Sequence, residues 1–158
     1  MSKKHYSNKF EDLDSRKIAF MKFSGVTKIH KEKLFIQAIT CKDFANKYFN
    51  ETGKEIPNNE SLAIIGDAVI TASLTHLRIK ENKKIFKGTV TELNQKIENN
   101  DYLSKKGFEH QIIDFLFTTP EGYKKRGVAT AYEAVIAYIF LAHGFNKVTR
   151  LIKQRLIN

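Results

Sequence analysis

Asn59-Glu60-Ser61-Leu62-Ala63-Ile64-Ile65-Gly66-Asp67-Ala68-Val69 lies in a segment with almost no charge. Between Glu60 and His76 the only ionisable side chain is Asp67, set among Leu62, Ile64, Ile65, Val69, Ile70 and Leu74. Apolar residues on nearly every face predict a helix from about Glu60 to Ile79 that is buried all round, not along one stripe. A carboxylate in such a place is heavily penalised by desolvation unless it has a partner, a proton or a metal ion.

A second segment, Arg126 to Ala142, repeats the pattern. Val128, Tyr132, Val135, Ile136, Ile139 and Phe140 make it apolar, and Glu133 is its only acid. Two such helices predict that Asp67 and Glu133 face one another across a helix–helix contact, with Gly66, Ala129 and Ala137 allowing close approach. Paired acids on facing helices suit Mg²⁺ or Mn²⁺, hard cations that want oxygen ligands. On the other reading, each acid accepts hydrogen bonds from nearby Thr, Tyr or Lys side chains. Spacing alone leaves both open.

The flanking segments read as helices joined by short polar breaks. Leu34 to Phe49 carries apolar residues near helical spacing, and Gly53 and Pro57 break the loop that follows. Asn58 or Asn59 is the expected N-cap of the central helix. Thr89-Val90-Thr91-Glu92 has a capping-box pattern that predicts a helix start. Asn99-Asn100-Asp101 should end or bend that helix, and Gly107 should break the turns between Tyr102 and Phe117. Thr118 to Lys125 is a polar loop, Gly144 a helix stop, and Phe145 to Ile157 a basic amphipathic helix. Ile18 to Val26 is a short apolar piece able to pack on the body. The class is all-α. Residues 1–30 are expected to form a polar, basic lead-in, and residues 31–158 a single domain.

Composition narrows the partners. The chain has 158 residues, 42% hydrophobic and 28% charged, so it is long enough for a proper core. A net charge of +10 favours a polyanion, RNA or DNA before an anionic membrane. Lysines and arginines cluster at segment ends, and Lys83, Lys84, Lys87, Lys105, Lys106, Lys124, Lys125 and Arg126 are the candidates for tracking phosphates. Cys41 is the only cysteine, which excludes an internal disulfide and a Cys-rich zinc site and fits a reducing compartment. No signal or transit pattern opens the chain, and the longest run of low charge, Gly127 to His143, is too short to span a bilayer. A soluble, cytoplasmic protein with no membrane partner is expected.

The opening stretch is similar to the signature of ribonuclease III domains, Asn-Glu-x-Leu-Glu-Phe-Leu-Gly-Asp-Ala-Val. Ala38-Ile39-Thr40-Cys41-Lys42-Asp43-Phe44-Ala45-Asn46 resembles that family's Ala-Leu-Thr-His-x-Ser-Tyr-Ala-Asn. Gly88 to Leu93, followed by Ile97 and Asn99-Asn100, resembles its Gly-x-Leu-Thr-x-Leu-Arg and Val-Asn-Asn segments. Ala129-Thr130-Ala131-Tyr132-Glu133-Ala134-Val135-Ile136 resembles its Ala-Asp-Ala-Phe-Glu-Ala-Leu-Ile. Four ordered matches cover roughly residues 34–157.

The resemblance implies an all-helical endonuclease-domain fold and a two-fold dimer with double-stranded RNA lying across both subunits. It also implies Mg²⁺ held by four acids per subunit to activate a water against a phosphodiester. Asp67 and Glu133 occupy two of those catalytic and metal-ligating positions. Ala63 and Thr130 stand at the other two, so half the carboxylates are absent. Glu60 matches a motif position, yet it sits seven residues from Asp67, about 10 Å along a helix axis, and cannot simply replace the lost ligand. Cys41 and Asp43 replace the His and Ser of the earlier motif. The implied function is double-stranded RNA binding in RNA processing, with a degenerate two-metal site and weak or no cleavage by the chain alone. The alternatives are a working Mg²⁺- or Mn²⁺-dependent endoribonuclease, or an inactive subunit of a heterodimer or a ribosome-associated protein. A homodimeric, stand-alone nuclease-domain module lacking a separate RNA-binding domain is expected.

Overall fold

Helices account for the architecture, and a computed structural model describes residues 12–158 of the chain. The helices are α1 (Leu13–Ser24), α2 (Glu32–Ile39), α3 (Lys42–Thr52), α4 (Glu60–Glu81), α5 (Lys87–Gln95), α6 (Asn100–Glu109), α7 (Lys125–His143) and α8 (Phe145–Ile152). A 3-10 turn, Ile112–Phe115, precedes the loop to α7, and a π-helical turn, Lys153–Ile157, follows α8. Among the described residues there is no strand, only an isolated parallel bridge between Thr40 and Phe117. The fold is all-α. Of the polar lead-in expected over residues 1–30, the first eleven lie outside the described residues.

Helix α7 is the central post. Its Val128, Ala131, Ala134, Tyr138 and Ile139 are fully buried, and α4, α6, α2 and α8 all pack against it. Phe20 of α1 closes an aromatic box with Phe35, Phe115 and Tyr138, its ring centroid 5.0–5.4 Å from theirs and edge-on to each. Such edge-to-face pairs add to the area they bury, so the apolar part of the N-terminal segment is an integral layer. The Tyr138 hydroxyl, otherwise orphaned in this core, donates to the His30 carbonyl at 2.7 Å.

The Leu34–Phe49 segment is two helices, not one. The chain turns extended at Thr40 and Cys41. The Cys41 N–H donates to the Phe117 carbonyl (2.9 Å), the Phe117 N–H to the Ile39 carbonyl (2.7 Å) and the Asn59 N–H to the Thr40 carbonyl (2.9 Å). Partners remote in sequence satisfy the backbone that a continuous helix would have satisfied locally. Other local expectations also shift. Asn59 does stand at the N-cap of α4, but it is buried with its amide toward Cys41 Sγ, and it is the Asn58 side chain that accepts the Glu60 N–H at 3.0 Å. Helix α5 begins at Lys87, ahead of the Thr89 capping box, with no side-chain cap. Gly107 does not break α6; it lies where an added Cβ would stand 2.4 Å from Val128 Cγ1, so packing against α7 is what needs a glycine there. Asn99 does cap α6, accepting the Tyr102 N–H at 2.8 Å.

The central helix α4 departs most from expectation. Leu62, Ile70 and Leu74 enter the core, but Ile64 is 74% exposed, Ile79 47% and Ile65 37%, and Asp67, Ala68 and Ala72 are exposed with them. Its 22 residues are long and apolar enough to cross a bilayer, although 44% of the most apolar window is buried in this fold. A helix apolar all round is therefore buried along only one side of this chain. Phe86, just before α5, is exposed at 81%.

Candidate active-site cleft

Gly66 sets the geometry of the site. A Cβ built on it would stand 1.8 Å from the Glu133 carbonyl oxygen, so α4 and α7 cross in backbone contact that only glycine permits. The crossing puts Asp67 and Glu133 on the wall of one cleft of about 770 Å³. Lys42, Glu60, Ala63, Ile64, Glu98, Asn100, Arg126 and Thr130 complete the lining. All four positions of the resemblance, Ala63, Asp67, Thr130 and Glu133, thus meet in one concavity.

The electrostatics fit two acids held close together. The Glu133 carboxyl is pushed up to about 7, first by burial and then by the negative charge of Asp67. Glu60 reaches the same cleft but pairs with Lys42, Nζ to Oε2 at 3.3 Å, with both side chains exposed. The Thr130 hydroxyl donates to the Arg126 carbonyl at 3.0 Å, so it is spent on its own helix. Glu98 also lines the cleft, and its Oε1 is buried without a hydrogen-bond partner. Motif reading missed it, because in sequence Glu98 merely follows the apolar Ile97. Only the fold brings the turn between α5 and α6 to the cleft between α4 and α7.

Do these residues suit a metal ion? Asp67 and Glu133 offer hard oxygen ligands close enough to repel one another, which is what a divalent cation relieves. Among the described residues, no group of three or more His, Cys, Asp or Glu side chains is arranged to hold one. The donor set suits a single Mg²⁺ or Mn²⁺ completed by water and substrate phosphate oxygens, not a pair of ions.

Asp43 answers for the altered earlier motif. Its carboxylate accepts the Thr119 N–H and the Thr119 hydroxyl, each at 2.6 Å, and the Thr118 hydroxyl at 3.1 Å. The side chain so pins the loop entering α7 to the start of α3. Gly122 is held against it, since a Cβ there would lie 2.0 Å from the Asp43 carboxyl. Cys41 is buried with its thiol pushed up to about 12, chiefly by desolvation, so it is chemically quiet.

The basic candidates are spread over several elements. Arg126 lines the cleft, and Lys87 lines a groove between α4 and α5 that adjoins it at Glu98. Lys105 and Lys106 pair with Glu109 at 3.9 and 3.1 Å. Lys83, Lys84 and Lys124 are exposed, and the side chain of Lys125 lies outside the described ones.

The family model described as Ribonuclease-III-like matches residues 31–158. The chain belongs to the ribonuclease-III-like family. It is 32% identical over 108 residues to ribonuclease 3 of Nitrosomonas eutropha, covering 61% of this chain and 42% of that protein. It is 27% identical over 132 residues to ribonuclease 3 of Bacteroides thetaiotaomicron, covering 82% and 41% respectively. The chain therefore spans about two fifths of the length of these ribonuclease III relatives. A solved nuclease domain of ribonuclease III from Campylobacter jejuni, described with structural flexibility in a region involved in dimer formation, superposes with a TM-score of 0.72. That match has 23% identity and covers 89% of this chain and 98% of the other. The fold is that of a ribonuclease III nuclease domain.

Proposed function

We propose that this protein is a dimeric double-stranded RNA-binding member of the ribonuclease III family that serves RNA processing and cleaves weakly, or not at all, on its own. The observation that carries the reading is the cleft, where Asp67 and Glu133 remain but Ala63 and Thr130 bring no carboxylate. If a Mg²⁺ or Mn²⁺ binds, those two acids would hold it and it would supply charge stabilisation for phosphodiester hydrolysis. The chain's own part is to keep Asp67 and Glu133 on opposing helices and to place Arg126 where it can meet a phosphate. With half the ligands gone, the reacting groups are poorly fixed, and misplacement by about 1 Å can cost a hundredfold in rate.

The dimer is supported by the exposed apolar side of α4. Ile64, Ile65 and Ile79 lie uncovered along it with Ala68 and Ala72, a run rarely left to solvent and suited to a self-complementary two-fold contact. Double-stranded RNA is recognised through shape, 2′-hydroxyls and phosphates, which suits exposed lysines without a base-reading motif. We place the protein in the cytoplasm, in keeping with its single buried thiol.

The deciding experiment incubates the protein with a long RNA duplex and Mg²⁺ or Mn²⁺. Asp67→Asn and the double substitution Ala63→Glu with Thr130→Asp are run beside it. The expected result is little cleavage by the parent and a gain in the double variant. Efficient cleavage by the parent that Asp67→Asn abolishes would overturn the reading in favour of a working endoribonuclease.

A further inference from the structure

A second concavity, about 540 Å³, lies between the C-terminal half of α4 and α8. His76, Leu77, Lys80 and Glu81 line it from α4, and Asn146, Thr149, Arg150 and Lys153 from α8 and the turn after it. Its floor is rigid, since Leu77 and Thr149 are buried and the Thr149 hydroxyl donates to Ser73 Oγ at 3.1 Å across the helix pair. Its walls are cationic. Lys80, Arg150 and Lys153 are exposed, and among the described residues none of them makes an ion pair. Glu81 is the one acid on the lining. The exposed His76 ring stands edge-on to Phe145, centroids 5.7 Å apart, leaving an aromatic surface beside the charges.

The charge of this groove is opposite to that of the cleft. The cleft carries Glu60, Asp67, Glu98 and Glu133 against Lys42 and Arg126, and without a metal ion it repels phosphate. The groove attracts phosphate directly. The two are also well separated. His76 is nine residues beyond Asp67, about 14 Å along the helix axis and about half a turn round it. A phosphate in the groove is therefore a different one from any at the cleft. A concavity of about 540 Å³ is too small for a duplex and has room for a short piece of one strand. A single strand, with phosphates along the basic walls and a base against the His76 ring, fits the charges, the volume and the aromatic surface together.

We propose that the groove between α4 and α8 binds single-stranded RNA, the unpaired flank of a structured RNA whose duplex part the rest of the molecule engages. This deepens the RNA-binding reading above and rests on it. Such a site adds affinity for substrates with tails and sets which end of a structured RNA the protein occupies.

The test uses the full chain with two RNA hairpins. One is blunt, and the other carries a 3′ single-stranded tail of about ten nucleotides, within the range one such site covers. Binding is measured by fluorescence anisotropy across a salt series. The wild type is expected to bind the tailed hairpin about tenfold more tightly, or better. The triple variant Lys80→Ala, Arg150→Ala, Lys153→Ala is expected to lose that preference, with log K against log salt flattened by about 2, from about 0.7 per single-strand phosphate. Its binding to the blunt hairpin should be unchanged. Equal binding of both hairpins by the wild type, or a full tail preference in the variant, overturns the groove assignment and leaves duplex binding standing. Failure of the wild type to bind either hairpin removes both. Because all three side chains are exposed, the variant should melt with the parent. If it does not, Lys80→Glu with Lys153→Glu makes the same test by charge reversal.

Discussion

Replacing Gly66 by alanine tests the helix crossing on which the cleft depends. The new methyl would sit 1.8 Å from the Glu133 carbonyl oxygen, and ordinary contact begins near 3.4 Å, so α4 and α7 must part by about 1.6 Å. Both elements are packed helices of the core, and a gap of even 0.5–1 Å forfeits roughly a quarter to a half of each dispersion contact across it. Alanine gains about 1 kcal/mol of helix propensity over glycine. Overpacking of this kind costs about 1–3 kcal/mol and at times more, and backbone cannot swing aside as a side chain can. With a backbone oxygen as the obstacle the cost lies at or above the top of that range, about 3–4 kcal/mol, so the clash wins at roughly 2–3 kcal/mol net, which for a domain of this size lowers Tm by roughly 5–10 °C. Gly88→Ala supplies the control, because nothing lies within 4 Å of a Cβ there and the residue is helical in α5. Circular dichroism melts should show Gly66→Ala well below the parent and Gly88→Ala level with it or slightly above. A Gly66→Ala protein that melts with the parent would refute the backbone contact and with it the placement of Asp67 beside Glu133.

Three further outcomes follow from the same structure. Asp43→Ala strips the acceptor from the Thr119 N–H and from two hydroxyls, and should destabilise by about 2–3 kcal/mol in urea titration; a loss below about 0.5 kcal/mol would contradict the loop anchor. Glu133 binds its proton more tightly folded than unfolded, so the fold holds the extra proton between about pH 4.5 and 7 and loses stability as pH rises through that window. In EDTA, Glu133→Gln should remove that slope and, after discounting for solvent screening, gain about 1 kcal/mol at pH 8; parallel pH profiles for parent and variant would argue against it. Ile64→Asp with Ile65→Asp should convert a dimer to monomer in sedimentation velocity without unfolding it, and a parent that sediments as a monomer at all concentrations would remove α4 as the contact.

What could be read in the sequence, and what could not, divides by range. The all-α class, the two long apolar helices and the meeting of Asp67 with Glu133 follow from periodicity and from two isolated charges. Burial did not follow so simply. Apolar residues on every side of α4 say that water is to be avoided, not whether the chain or a second copy does the covering, and Ile64 at 74% exposure lies on the uncovered side. The break at Thr40 and Cys41 carries no Gly or Pro, because hydrogen bonds from Phe117 and Asn59, remote in sequence, hold it open. Gly107 reads locally as a helix breaker, and only its contact with Val128 explains why it stays helical. Glu98 and Asp43 acquire their roles through neighbours more than thirty residues away, to which no local pattern points.

In the function proposed above, a cleft with two such carboxylates has a physical rationale. Glu133 is already raised to about 7 with a single acid beside it. Glutamate at position 63 and aspartate at position 130 would bring two more negative charges into a cleft that also holds Glu60 and Glu98. Without bound cations, such a set destabilises the fold through mutual repulsion and desolvation, the cost that an active site bears in exchange for chemistry. Ala63 and Thr130 relieve that strain, one by packing at 6% exposure and the other by bonding back to its own helix. A domain that holds RNA, as proposed above, gains stability from Ala63 and Thr130 and keeps the helix crossing intact. On that proposal Gly66 tolerates substitution less well than position 63 or 130, because the helix crossing supports the whole cleft.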